Sequence, residues 1–335
     1  SEMTKQSGYC GFFTPYVWMF IQSYEKMRNY IYNTRTIETL IQFEYSAFEE
    51  ATVPICTFVL KNSKVRKNGA YLRLTEFRGG MEVQRQKALE AISNHKCGFY
   101  YESNAENFSK IPGSPVAYWV SENFVRAFDG KKVGNYLNCR SGIMTGSDEF
   151  IKQWYEVNYN NIKFNCKTAK DMLDYKWFPL NSGGEFRKWY GNNSKIVNLQ
   201  NDGAKIKATV KNFRLREKTF YFKRGITWGR ITSSKIAFRD VIQGSLFGDA
   251  GPIGFIEENR NYLLGFLCSN VSLFCLQATN PTLNYQVRDI ESEPLILSVG
   301  HLPLVNKKVQ ENIDLSKADW DSFETSWDFE GHPLV

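Results

Sequence analysis

Four short apolar runs in the first 77 residues limit the fold most strongly: Tyr9-Cys-Gly-Phe-Phe13, Ile37-Glu-Thr-Leu-Ile-Gln-Phe43, Val53-Pro-Ile-Cys-Thr-Phe-Val-Leu60 and Tyr71-Leu-Arg-Leu-Thr75. Each is short, rich in β-branched or aromatic side chains and bounded by turn or polar residues, the pattern of strands. Between the first two, Trp18, Met19, Ile21, Tyr24, Met27, Tyr30 and Ile31 recur at helical spacing. Pro15 suits the first turn of that helix, where its missing N–H costs nothing. The alternation predicts the back end of an open α/β sheet, followed by a helix over Met81–Ile92.

Residues 97–115 are polar and end in Ile111-Pro-Gly-Ser-Pro115, a composition that reads as a linker. Beyond it short strands alternate with Gly/Asn/Ser loops, and helical patterns appear near 147–157 and 260–275. The change of texture near residue 112 predicts a domain boundary there, with an α/β region at 1–112 and a mixed, α+β region at 113–335. At 335 residues, 42% hydrophobic and 23% charged, the chain is long and apolar enough for two cores. The longest apolar run, around Phe12–Ile21, is too short to span a bilayer, so neither a membrane segment nor a secretory signal is expected.

The seven cysteines are scattered and odd in number, without a CxxC pair. With only His95, His301 and His332 beside them, zinc is not expected, and a reduced, cytoplasmic setting fits better than a disulfide framework. Cys268 and Cys275 fall seven apart in an apolar helical pattern, which places both in a core.

Charge is uneven. The formal net charge is +7, yet residues 306–335 hold three Lys against seven Asp or Glu, leaving 39 basic and 28 acidic residues, a net of +11, in the first 305. A basic body suits a polyanionic partner, although a solvated basic surface explains the charge as well. The sharpest concentration is Lys205–Arg239: eleven Lys or Arg, one acid (Glu217) and the aromatics Phe213, Phe220, Tyr221, Phe222, Trp228 and Phe238. Basic groups neutralise phosphates, and aromatics either stack on bases or pack as core beneath amphipathic strands. Lys223, Arg224, Trp228, Arg230, Ser233, Ser234 and Lys235 are the candidates here. A second cluster, Asn181-Ser-Gly-Gly-Glu-Phe-Arg-Lys-Trp-Tyr-Gly-Asn-Asn193, offers Arg187, Lys188, Trp189, Tyr190 and Asn192, though a plain loop and hairpin would use the same glycines.

Two signals are discounted. Gly248-Asp-Ala-Gly-Pro-Ile-Gly254 resembles a glycine-rich cofactor loop, but no apolar strand leads directly into it and Pro252 interrupts it. Asn280-Pro-Thr-Leu283 partly matches an Asn-Pro-Pro-Tyr tetrad, without the second proline and the aromatic; a helix-ending turn explains it.

Seven segments together resemble the PglX methyltransferases of BREX phage-defence systems: Gly8–Phe20, Phe43–Pro54, Arg140–Phe150, Lys176–Pro179, Gly183–Asn192, Phe222–Trp228 and Asp319–Phe329. More loosely, their order resembles the fused chains of type IIG restriction-modification enzymes. The resemblance implies that residues 8–77 are the last strands of a class I (Rossmann-like), S-adenosylmethionine-dependent adenine methyltransferase sheet, and that 113–335 form a DNA target-recognition domain. It also implies that the cofactor loop and the amine-holding tetrad lie outside this chain, so that S-adenosylmethionine serves the intact enzyme and is not expected to bind here. Phe48 matches the aromatic that stacks on a flipped base in related enzymes; stacking returns roughly 1–3 kcal/mol against a flipping cost of a few. Double-stranded DNA is the implied partner, with other phage-defence proteins as further candidates. A stand-alone DNA-binding specificity module and an interaction scaffold docking through the acidic tail remain the alternatives.

Overall fold

The computed structural model describes residues 4–45, 53–172, 175–232 and 235–332. They fall into two compact units, Ser1–Gly130 with Ala278–Pro281, and Lys131–Gln277 with Thr282–Val335.

The first unit contains β1 (Tyr9–Pro15), α1 (Glu25–Thr34), β2 (Thr36–Gln42), β3 (Ile55–Lys61), β4 (Gly69–Arg73), α2 (Gly80–Ser93), β5 (Tyr100–Ser103) and α3 (Glu122–Ala127). The four expected strands and the helix after them are all present. The sheet, ordered β1-β3-β2-β4-β5, is mixed: β3 runs antiparallel to both neighbours, β4 and β5 are antiparallel, and β2 and β4 are parallel. Alternate residues of β3 are buried, and Leu40, Phe58, Leu60 and Tyr71 gather with Trp18 and Met19 in one core.

The helix expected from Pro15 onward begins later. Two short 3-10 turns, Tyr16–Met19 and Gln22–Tyr24, precede α1. Nη1 of the buried Arg28 donates to the carbonyls of Trp18 (2.7 Å) and Ile21 (2.8 Å), acceptors that a continuous helix would use in its own ladder. Nor is Ile111–Pro115 a linker. Val116 donates its N–H to the Met19 carbonyl, and Tyr118 stacks on Tyr71 with ring centres 4.7 Å apart. These contacts hold residues 113–130 in the first unit, so the compact units divide at Gly130 and Lys131, later than the expected 112.

The second unit contains β6 (Asn138–Arg140), β7 (Ile151–Gln153), β8 (Trp177–Asn181), β9 (Lys195–Asn198), α4 (Gln200–Thr209), β10 (Gly225–Trp228), β11 (Phe238–Val241), β12 (Leu246–Phe247), β13 (Ile253–Phe255), α5 (Arg260–Leu267), all but the last two residues of α6 (Asn270–Thr279), α7 (Val287–Glu291) and α8 (Leu302–Asp321). One antiparallel sheet is ordered β11-β10-β13-β6; a second, β12-β8-β9-β7, has β12 and β8 parallel. The helical pattern near 147–157 resolves into two 3-10 turns around β7. The one near 260–275 becomes α5 and α6, bent by 63°. Cys268 and Cys275 are buried, as their spacing predicts. Among the described residues no single helix is long and apolar enough to cross a membrane. The acidic segment is mostly α8, whose Val309 and Ile313 enter the core around β10 and α5.

Candidate nucleic-acid interface

In Lys205–Arg239 the aromatics face inward and most of the cations outward. Tyr221, Phe222, Trp228 and Phe238 are fully buried. Trp228 therefore cannot stack on a ligand; its indole N–H donates to the Tyr285 carbonyl at 3.1 Å, and its ring packs in the core beside Phe238. Six of the cations are paired within the chain. Lys205 meets Glu149, Lys207 and Lys218 share Asp202, Arg216 and Arg230 share Asp249, and Arg224 joins Arg260 on Asp240. Burial raises the Asp240 carboxyl above its ordinary range, against the pull of Arg260 and Arg224. Exposed and outside these pairs are Lys211, Arg214, Lys223 and Lys235.

The Asn181–Asn193 loop turns through left-handed residues at Gly183, Gly184, Trp189, Gly191 and Asn192. At Gly191 a Cβ would fall 2.3 Å from Arg187 Cδ, so the glycine is what lets that side chain lie where it does. Arg187 spans from Asp319 (2.6 Å) to the face of Trp320, 5.1 Å from the ring centre. Lys188 donates to the Cys268 carbonyl at 2.7 Å, and Asn192 to the Glu185 carbonyl at 2.9 Å. Trp189 is half-buried and tied by backbone bonds to Phe238 and Asp240; Tyr190 is fully buried. The loop's polar groups thus serve its own fold first, and Tyr190, like Trp228, is a core residue and not a contact.

Two cavities carry the remaining candidates. One, of about 740 Å³, brings Lys223 and Arg224 together with Asn138, Gln243 and the carboxylates Glu257 and Glu258. The other, of about 440 Å³, joins Lys235 to Arg239, with Phe186 and Ile231 on its walls. Arg239 was not singled out by sequence, because its place in Phe238-Arg-Asp-Val241 carries no local sign that a charged strand would be buried on both faces. All four residues of β11 are buried, and desolvation lowers the Arg239 guanidinium to about 10, still charged at neutral pH.

Phe48, Ser233 and Ser234 lie outside the described residues. The Gly248–Gly254 turn links β12 to β13, strand to strand, and the Asn181 side chain holds the Gly251 carbonyl at 3.2 Å. A loop gripping the phosphate or sugar of a nucleotide cofactor opens a helix after its strand. This turn does not, so it lacks the strand–turn–helix context of a cofactor loop. Among the described residues no group of three His, Cys, Asp or Glu is placed to hold a metal ion.

Residues 1–48 match the family described as Eco57I restriction-modification methylase. The whole chain aligns at 32% identity with the adenine-specific methyltransferase PglX of Lacticaseibacillus casei (strain Zhang), covering 29% of that protein. It aligns, again over all of its length, at 30% identity with the adenine-specific methyltransferase BrxX of Escherichia coli O9:H4 (strain HS), covering 27% of it. The resemblance read from seven segments therefore extends along the entire chain, and the chain spans under a third of these relatives. Among solved structures, the type IIL restriction-modification enzyme MmeI, determined in complex with DNA, superposes on 97% of this chain and 44% of its own, with a TM-score of 0.57 at 11% identity. That likeness is one of fold.

Proposed function

We propose that this chain is part of an S-adenosylmethionine-dependent adenine-specific DNA methyltransferase of a phage-defence or restriction-modification system, and that its own contribution is target recognition. Similarity along the whole of this chain to part of two adenine-specific methyltransferases carries the reading. In it, the first unit ends a class I methyltransferase sheet, and Phe48, in the segment between β2 and β3, stacks on the extruded adenine. The second unit grips duplex DNA. Its exposed cations Lys211, Arg214, Lys223 and Lys235 suit phosphates, while Arg224 and Arg230, each held by an aspartate, suit base edges that need a fixed donor fork. Arg187, Lys188, Trp189 and Asn192 shape the loop beside them.

Fluorescence anisotropy with a labelled duplex tests the reading. Binding should weaken steeply with salt, from a dissociation constant on the order of 10⁻⁴–10⁻⁶ M for non-specific sites at physiological ionic strength. A chain that ignores DNA even at low salt would contradict it. Equilibrium dialysis with S-adenosylmethionine completes the test, since retention of the cofactor by this chain would overturn the division of labour.

A further inference from the structure

Arg239 and Arg28 are both fully buried arginines, but they are used differently. Arg28 spends its guanidinium on four backbone carbonyls. Arg239 reaches only two, those of Gly183 (3.2 Å) and Arg187 (3.4 Å), and its Nε has no acceptor. Among the described residues the ionisable groups that act on it are Cys268 and Arg187, neither of them a carboxylate. A cation withdrawn from water without a counter-ion is costly, and here it lines a 440 Å³ cavity whose rim carries the exposed Lys235.

We propose that this cavity seats a phosphodiester group of a DNA strand, with the Lys235 ammonium as the contacting donor and Arg239 as the buried charge behind it. The inference rests on the DNA-binding reading above and adds to it a defined anion site. A phosphate suits the cavity better than a base edge. Reading a base takes an exposed donor fork, whereas the Arg239 fork is covered; a charge beneath a surface acts on a point anion through the low dielectric around it. The exposed Phe186 and Ile231 displace water beside the cavity. Glu185 also stands on the rim, where the charges of Lys235 and Arg239 together outweigh its own.

The test is the salt dependence of duplex binding by the full chain and by its K235A and R239M variants, with thermal unfolding as a check on folding. K235A should flatten the slope of log K against log salt by about 0.9, so that its affinity falls about 3.5-fold less than the parent's between 50 and 200 mM salt, and R239M should flatten it in the same direction by no more than that. Slopes unchanged in both variants, while the parent binds with a steep slope, would overturn this site and leave the DNA reading standing. A parent chain that does not bind would instead overturn the DNA reading itself. Should R239M fail to fold, K235A decides alone, because the Lys235 side chain is exposed.

Discussion

Nε of Arg28 donates to the carbonyl oxygen of Ser114 at 3.0 Å, across eighty-six positions of chain. Nη2 of the same side chain takes the Gly113 carbonyl at 2.6 Å, and the Tyr32 hydroxyl adds a second donor to Ser114 at 3.0 Å. One guanidinium thus fixes the end of a glycine-proline segment against the helix that carries it. Burial lowers the Arg28 pKa from its ordinary value, yet five N–H donors matched to four carbonyls make the site workable without a carboxylate.

Replacing Arg28 by methionine keeps the bulk and removes every donor. The carbonyls of Trp18, Ile21, Gly113 and Ser114 are then left buried, each at a cost of about 1–3 kcal/mol before relaxation. A loss of about 3–5 kcal/mol in the first unit is expected, read as an earlier urea transition. A loss below 1 kcal/mol would mean that water replaces the guanidinium.

Glu293 predicts how stability depends on pH. Its carboxyl is fully buried, accepts the Ser272 hydroxyl at 2.7 Å and leaves Oε1 without a donor; burial, aided by Asp289, holds its pKa well above the ordinary value. The folded state therefore keeps a proton that the unfolded chain releases near pH 4.5. Stability from this group is full below that pH and falls as pH rises toward the folded pKa, by about 1.4 kcal/mol for each pH unit crossed. Glu293→Gln should remove the fall and unfold later than the parent at pH 8, with little difference at pH 4. Parallel stability curves for the two proteins would refute this.

These groups also mark what a sequence can reveal. The strands around Phe58, Leu60 and Tyr71 were legible because short apolar runs between turn residues have few other solutions. The division at Gly130 was not, because it depends on Arg28 meeting Ser114 and on Tyr118 meeting Tyr71, contacts with no local pattern. At the candidate site, residue type suggested chemistry while burial decided it. Trp228 and Tyr190 have the rings of base-stacking residues and lie in cores; Arg239, one of eleven cations in its stretch, was inconspicuous until its surroundings were seen.

Thiol reactivity follows the same logic of burial. Cys56, Cys139, Cys166, Cys268 and Cys275 are buried, and desolvation raises their thiols, to about 11 at Cys166 and about 12 at Cys268 and Cys275. The thiolate is the reactive form, so these five should resist a disulfide reagent at pH 8 until the chain unfolds. Cys10 and Cys97 are partly exposed and should react in the native state. Fast titration of more than two thiols would show that a core opens readily.

The pair between Arg187 and Asp319 bears on which cations are available to DNA. Arg187 is neutralised by Asp319 and lies over Trp320, itself buried. Removing a cation that already has a partner releases no phosphate contact, so Arg187→Ala should leave the salt slope of duplex binding unchanged. Asp319→Asn frees the guanidinium and should steepen the slope by up to about 0.9, as one further phosphate becomes reachable. An exposed pair contributes at most about 1 kcal/mol, so D319N should barely move the unfolding transition, whereas Trp320→Ala should cost about 3–5 kcal/mol through lost packing. If R187A alone flattens the slope, Arg187 leaves Asp319 when DNA arrives, and the acidic helix then acts as a competitor for the basic loop.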